Sequence, residues 1–77
     1  MIRDYQLELK QIGLNIAYYR KLKGYTQLQL AEKVEISRTH LSNIEAPNVL
    51  TSISLETLMD IATILEIPLS SLVTFKQ

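Results

Sequence analysis

The sequence predicts an all-α chain folded as a compact five-helix bundle. Three observations predict it. Apolar residues recur at helical spacing through most of the 77 residues, and no segment sustains a period-two alternation. The breakers Gly24, Pro47 and Pro68 fall between these stripes rather than inside them. Two of the stripes lie only two or three residues apart, which forces their helices to cross at a large angle.

The first helix is expected from about Asp4 to Lys23. Ile12, Ile16 and Tyr19 mark its inner stripe, and Tyr5 and Leu9 extend it backwards. Gly24 ends it, because glycine adopts the left-handed backbone that closes a helix. Thr26 begins the second helix. In "TQLQ" a Gln follows the Thr by three residues, a capping-box pattern in which each side chain bonds the other residue's backbone N–H. Leu28, Ala31 and Val34 continue the inner stripe, with Leu30 on its flank. A tight turn at Glu35-Ile36 follows. Ser37 caps the third helix, which runs to about Ala46, and Pro47 cannot continue it. Ile36, Leu41 and Ile44 anchor this segment to the bundle.

Residues 46–53, "APNVLTSI", form a loop that is apolar at Val49, Leu50 and Ile53. Those three residues either pack on the chain's own core or belong to a subunit interface. Ser54 caps the fourth helix, with Glu56 in the first turn where the helix dipole favours a carboxylate. Leu55, Leu58, Ile61, Ala62 and Leu65 give its inner stripe. Ile67-Pro68 breaks it. A short fifth helix, about Leu69 to Thr74, buries Leu72, with Val73 or Phe75 as further candidates.

Length and composition exclude several classes. Seventy-seven residues suffice for one domain with a small core. There is no Cys, so neither a disulfide nor a thiolate metal site is expected. No apolar run approaches the ~20 residues of a membrane span. The charged N-terminus "MIRDYQLELKQ" lacks an apolar signal core, so a cytoplasmic location is the default expectation. Net charge is zero but unevenly spread. Residues 10–40 carry Lys10, Arg20, Lys21, Lys23, Lys33 and Arg38 against Glu32 and Glu35. Residues 41–77 carry Lys76 against Glu45, Glu56, Asp60 and Glu66. A basic face can therefore exist on a neutral chain, and phosphate contacts respond to local potential.

The third helix is chemically unusual. Between its apolar anchors stand Ser37, Arg38, Thr39, His40, Ser42 and Asn43. A merely solvated helix more often uses Glu and Lys. Arg can donate two bonds to guanine O6 and N7, and Asn can bond adenine bidentately. A Thr methyl can touch a thymine methyl. Free N–H groups at helix N-termini suit phosphates. His40 is the only histidine and has no Cys or carboxylate cluster beside it. No metal or other cofactor is therefore expected, and His40 reads as a groove-edge contact or an exposed residue.

From Ile12 to Val73, about four-fifths of the chain, the sequence resembles the Cro and phage-repressor helix-turn-helix family. The matching text is "IGLNIAYYRKLKGYTQLQLAEKVEISRTHLSNIEAPN" and then "SLETLMDIATILEIPLSSLV". The combination of Arg20, Gly24, Thr26-Gln27, Leu30-Ala31, Ile36-Ser37, Ile44-Glu45 and "SLETL" carries the resemblance. It implies a single helix-turn-helix DNA-binding domain over 1–77, with the motif at about 26–46. It also implies a third helix that enters the major groove. Arg38, Thr39 and Asn43 then occupy base-reading positions, with Ser42 a fourth. Gln27, Ser37, His40 and Asn48 fall at positions that contact the DNA backbone. Arg20 and Glu45 resemble a pair bracing the first helix against the end of the third. Simpler readings stand beside these. Ser37 also serves as an N-cap, Gln27 reads equally as a solvated first-turn residue, and Arg38 suits a phosphate as well as a base.

Three departures from the family pattern matter, one being the apolar Val49, Leu50 and Ile53 of the 46–53 loop. Glu35 stands where a Gly is common, and a left-handed Glu costs about 1 kcal/mol. The 46–53 loop holds no Lys or Arg, where relatives often place basic residues against phosphates. The expected function is a sequence-specific transcriptional regulator, repressor-like, whose partner is double-stranded DNA. A single short recognition helix makes a small interface, so a homodimer through helices four and five and the 46–53 loop is expected. The second reading is an antitoxin-like or anti-regulator protein-interaction module, with a protein partner and DNA binding secondary. An enzyme is not expected, since no catalytic constellation or Gly-rich phosphate loop is present.

Overall fold

The computed structural model describes residues 5–75. Five helices follow one another: α1 (Gln6–Lys23), α2 (Gln27–Lys33), α3 (Arg38–Glu45), α4 (Leu55–Leu65) and α5 (Leu69–Leu72). Among the described residues there is no strand, and no helix is long and apolar enough to cross a membrane. Asp4, the expected start of the first helix, lies outside the described residues.

Each helix contributes one large side chain to the centre of the core. Ile16, Leu30, Leu41, Ile61 and Leu72 are fully buried, one from each of α1 to α5. Ala31, Val34, Ile44, Leu58, Ala62 and Leu65 complete that core, with Ile12, Tyr19, Tyr25, Ile36 and Ile53 packed against it. Burying a large apolar side chain contributes about 1.5–3 kcal/mol. Every helix thus contributes to one shared core.

The chain reverses direction by one repeated device. Gly24, Glu35 and Glu66 all take left-handed backbone, with φ of 83°, 60° and 58°. After each one the next N–H reaches back across the last helical turn. Tyr25 donates to Arg20 O at 3.1 Å, Ile36 to Ala31 O at 3.0 Å, and Ile67 to Ala62 O at 3.1 Å. These are Schellman closures of α1, α2 and α4. The starts are capped as well. Thr26 and Gln29 form the reciprocal capping box, Ser37 Oγ accepts from His40 N–H at 2.9 Å, and Ser54 Oγ accepts from Thr57 N–H at 3.1 Å.

Four expectations about the inner stripes need correction. Leu28 is 51% exposed while Leu30 is fully buried, the reverse of the sequence reading. Leu30, Ala31 and Val34 set the inward arc of α2, and Leu28 lies outside it despite its helical spacing from Ala31. Leu55, the first residue of α4, is 61% exposed, whereas Leu58, Ile61, Ala62 and Leu65 of the same expected stripe are buried. Tyr5, expected in the inner stripe of the first helix, is exposed at the helix start. Val73 and Phe75 are both exposed, since α5 stops at Leu72; its core-facing side chains are Leu72, fully buried, and Leu69, half-buried. Helix α1 also carries Leu7, Leu14, Tyr18 and Leu22 in exposed positions, so it is apolar on more than its core-facing side.

Candidate nucleic-acid interface

Helices α2 and α3 are joined through the left-handed turn at Glu35, and α3 packs against both α1 and α2. Sequence dictates which way α3 faces. Leu41 and Ile44 are buried, and Ile36 packs against the core just before the cap. The helical period then turns Arg38, Thr39 and Asn43 outward, and all three are exposed. Ser42 and His40 are half-buried at the edges of that face. Ser37 and Asn48, at either end of α3, are exposed. The surface therefore holds donors and acceptors on short side chains over a rigid apolar base.

The back of α3 is fixed by a buried polar lock. Arg20 Nε donates to Glu45 Oε2 at 2.8 Å, and Arg20 Nη2 donates to Oε1 at 2.9 Å. This is the bidentate fork geometry in which guanidinium and carboxylate match best. Arg20 Nη1 donates to Tyr25 O at 2.8 Å, which ties in the α1–α2 connection. Gln27 Nε2 donates to Glu45 Oε1 at 2.9 Å, which ties in α2. Among the described residues no buried side-chain nitrogen or oxygen lacks a partner. One carboxylate at the end of α3 thus receives three hydrogen bonds from α1 and α2. A fully satisfied network of this kind orients an element. Gln27 belongs to this lock, and its half-buried position also leaves it at the edge of the α3 surface.

A second contact was not found by sequence reasoning. At Gly13, α1 passes directly over the backbone of α3. A Cβ at that position would be forced into the Ile44 carbonyl oxygen, 3.1 Å from the carbonyl carbon and 3.5 Å from Glu45 Cα. The missing side chain lets the two helices approach. An isolated glycine inside a long helical pattern was the available signal. Asn15 was missed too. Its Nδ2 donates to Leu72 O at 3.0 Å and Thr74 O at 3.1 Å, and its Oδ1 accepts from Gln11 at 2.8 Å. It holds the end of α5 to α1.

A cleft opens beside the exposed polar face of α3. Leu14, Ala17, Arg20 and Lys21 of α1 form one side, with Gln27, Ser42, Glu45, Ala46 and Pro47 opposite. Among the described residues no group of three or more His, Asp and Glu side chains stands close enough to hold a metal ion.

A helix-turn-helix whose second helix is polar in front and locked from behind defines a class of DNA-binding domain. The chain belongs to the helix-turn-helix family of the Cro and phage-repressor type, whose model matches residues 16–72. It is 37% identical over 65 residues to the HTH-type transcriptional regulator SinR of Bacillus licheniformis, an alignment covering 84% of this chain. It spans 58% of that relative's length. Among solved structures, SinR in complex with DNA matches with a TM-score of 0.74 and 36% identity, over 82% of this chain and 98% of that one. The restriction-modification controller protein C.AhdI from Aeromonas hydrophila matches with a TM-score of 0.81 and 26% identity, over 91% and 99%.

Proposed function

We propose that this chain is a sequence-specific DNA-binding transcriptional regulator, a single helix-turn-helix domain that places α3 in the major groove. The observation that carries the reading is the division of α3. Its outward face is polar and exposed, while its inward face and last residue are held by the core and by the Arg20–Gln27–Glu45 lock. A reader must be rigid to discriminate bases, and this one is braced from two helices. Arg38, Thr39, Ser42 and Asn43 read base edges. Gln27, Ser37, His40 and Asn48 contact the backbone around them. The likeness to SinR, whose structure in complex with DNA has the same fold, supports this assignment.

The regulator acts as a homodimer on a pseudo-palindromic operator, with half-sites about one helical turn (~34 Å) apart. Exposed Val49, Leu50, Leu55 and Met59 on the 46–53 loop and α4 support a seam on that side, with α5 beside it. In vitro site selection with the purified protein tests the whole reading. A palindromic consensus is the expected result, and a pool that remains unselected at low salt overturns it. Asn43→Ala is expected to weaken the selected site by about 1–3 kcal/mol while sparing mixed DNA. Sedimentation at high micromolar concentration tests the dimer. A monomer that stays monomeric when operator is added overturns that part alone.

A further inference from the structure

We propose that Lys21, in the last turn of α1, is a DNA-backbone contact that takes over the role of the missing basic residues in the 46–53 loop. The inference rests on the DNA-binding reading above and adds a residue to it.

The cleft between α1 and the end of α3 carries the argument. Its walls hold three ionisable side chains, Arg20, Lys21 and Glu45. Two of them cancel. Arg20 and Glu45 form a bidentate pair at 2.8 and 2.9 Å, with side chains only 9% and 5% exposed. The remaining amide in that group, Gln27, is neutral. Lys21 is exposed, and it leaves the cleft with one uncompensated positive charge. On the opposite side the one charge, Glu45, is already paired with Arg20, and the loop that continues through Ala46 and Pro47 has no ionisable side chain to Ile53. The cleft also contains Ser42 and Gln27, which stand at the edge of the recognition face. A duplex seated on α3 runs its phosphate backbone past that edge. The unpaired positive charge lining that cleft belongs to Lys21 of α1, and a flexible four-carbon stem suits an ammonium reaching for a phosphate oxygen.

The neighbouring lysines are differently placed. Lys23 is bound to Glu66 at 2.6 Å, and Lys33 lies over the Tyr25 ring, 5.3 Å from its centroid. Lys33 also borders a separate cleft with Glu35, Asp60 and Ile64, so it serves as a control of equal charge.

The test measures affinity for the selected operator and for a mixed-sequence duplex between 50 and 200 mM salt, on the order of the range where phosphate contacts dominate. Each phosphate contact contributes about 0.9 to the slope of log affinity against log salt. Lys21→Gln is expected to reduce that slope by about 0.9 per subunit and to weaken both duplexes by the same factor. Lys21→Arg is expected to restore the slope, and Lys33→Gln to leave it nearly unchanged. Thermal melting of all three variants should match the parent chain, which excludes misfolding. A Lys21→Gln slope equal to the parent's, or an equal loss in Lys33→Gln, overturns the assignment while leaving the DNA-binding reading intact. A parent chain that binds neither duplex overturns both.

Discussion

Among the described residues, the ion pairs Arg20–Glu45 and Lys23–Glu66 differ in nearly everything except their distance. Arg20–Glu45 links α1 to α3 at 2.8 Å with side chains 9% and 5% exposed. Lys23–Glu66 links the ends of α1 and α4 at 2.6 Å with side chains 34% and 73% exposed. The shorter pair is the weaker one. Water screens it, and holding two long side chains together offsets most of the attraction. The buried pair is different in kind. Its charges have left water, so each depends on the other and on the Tyr25 carbonyl and Gln27 amide around them. What separates the pairs is burial and hydrogen-bond satisfaction, and those properties follow from where the helices cross.

Breaking the buried pair from one side should have the largest effect. Glu45→Ala leaves a buried guanidinium without its carboxylate, and removal of one such partner costs about 3–5 kcal/mol. Native domains hold about 5–15 kcal/mol in total, so chemical denaturation should show a large share of the stability gone. The sharper variant changes both residues, Arg20→Met with Glu45→Leu. It should recover much of the stability, because a packed apolar pair replaces the ions. It should not recover full DNA affinity, because the hydrogen bonds that set the angle of α3 are absent. Full recovery of both would show that the lock serves stability alone.

Gly13→Ala tests the same crossing through the backbone. Alanine gains up to about 1 kcal/mol of helix propensity. Overpacking against Ile44 and Glu45 costs about 1–3 kcal/mol and pushes α3 outward. Net destabilisation is expected in urea titration, with weaker binding to the selected operator.

Glu35→Gly should go the other way. The residue sits at φ 60°, where a side chain is strained by about 1 kcal/mol. A freer unfolded chain offsets part of the gain. Removing this carboxylate also takes negative charge from the turn before α3, so affinity for mixed and selected DNA should rise together in salt-dependent binding assays.

The smallest effect belongs to the exposed pair. The Lys23 hydrogen bond and charge hold the Glu66 carboxyl below its ordinary range, and Glu66 raises the Lys23 ammonium. A lowered carboxylate favours folding at pH above its unfolded value and loses that contribution as pH falls through the folded value. A raised ammonium favours folding below its unfolded value and loses that contribution as pH rises past the folded one. Lys23→Gln should therefore flatten the melting temperature slightly at both ends of a pH series. Near neutrality it should change little, in contrast to Glu45→Ala.

These pairs also show how far the sequence can be read. The helix order, the caps at Thr26, Ser37 and Ser54, and the closure at Gly24 follow from local chemistry, which a single stretch of chain contains. Arg20 and Glu45 could be linked through family resemblance, since nothing local places residues 25 apart side by side. Gly13 and Asn15 were missed because their partners, Ile44 O and Leu72 O, are backbone atoms far along the chain. Leu28 and Leu30 exchanged places because a seven-residue helix contains too few turns for spacing alone to define its inner arc.

Within the eight residues of α3, the side chains that hold the fold and those that face outward are almost disjoint sets. Leu41, Ile44 and Glu45 belong to the first, and Arg38, Thr39 and Asn43 to the second. Exposed substitutions away from special features usually change stability by no more than about 0.5 kcal/mol. If these three positions read bases as proposed, descendants of this chain are free to acquire new targets by drift there, while selection on foldedness acts elsewhere. A scaffold divided in this way can be retargeted many times without first having to be rescued.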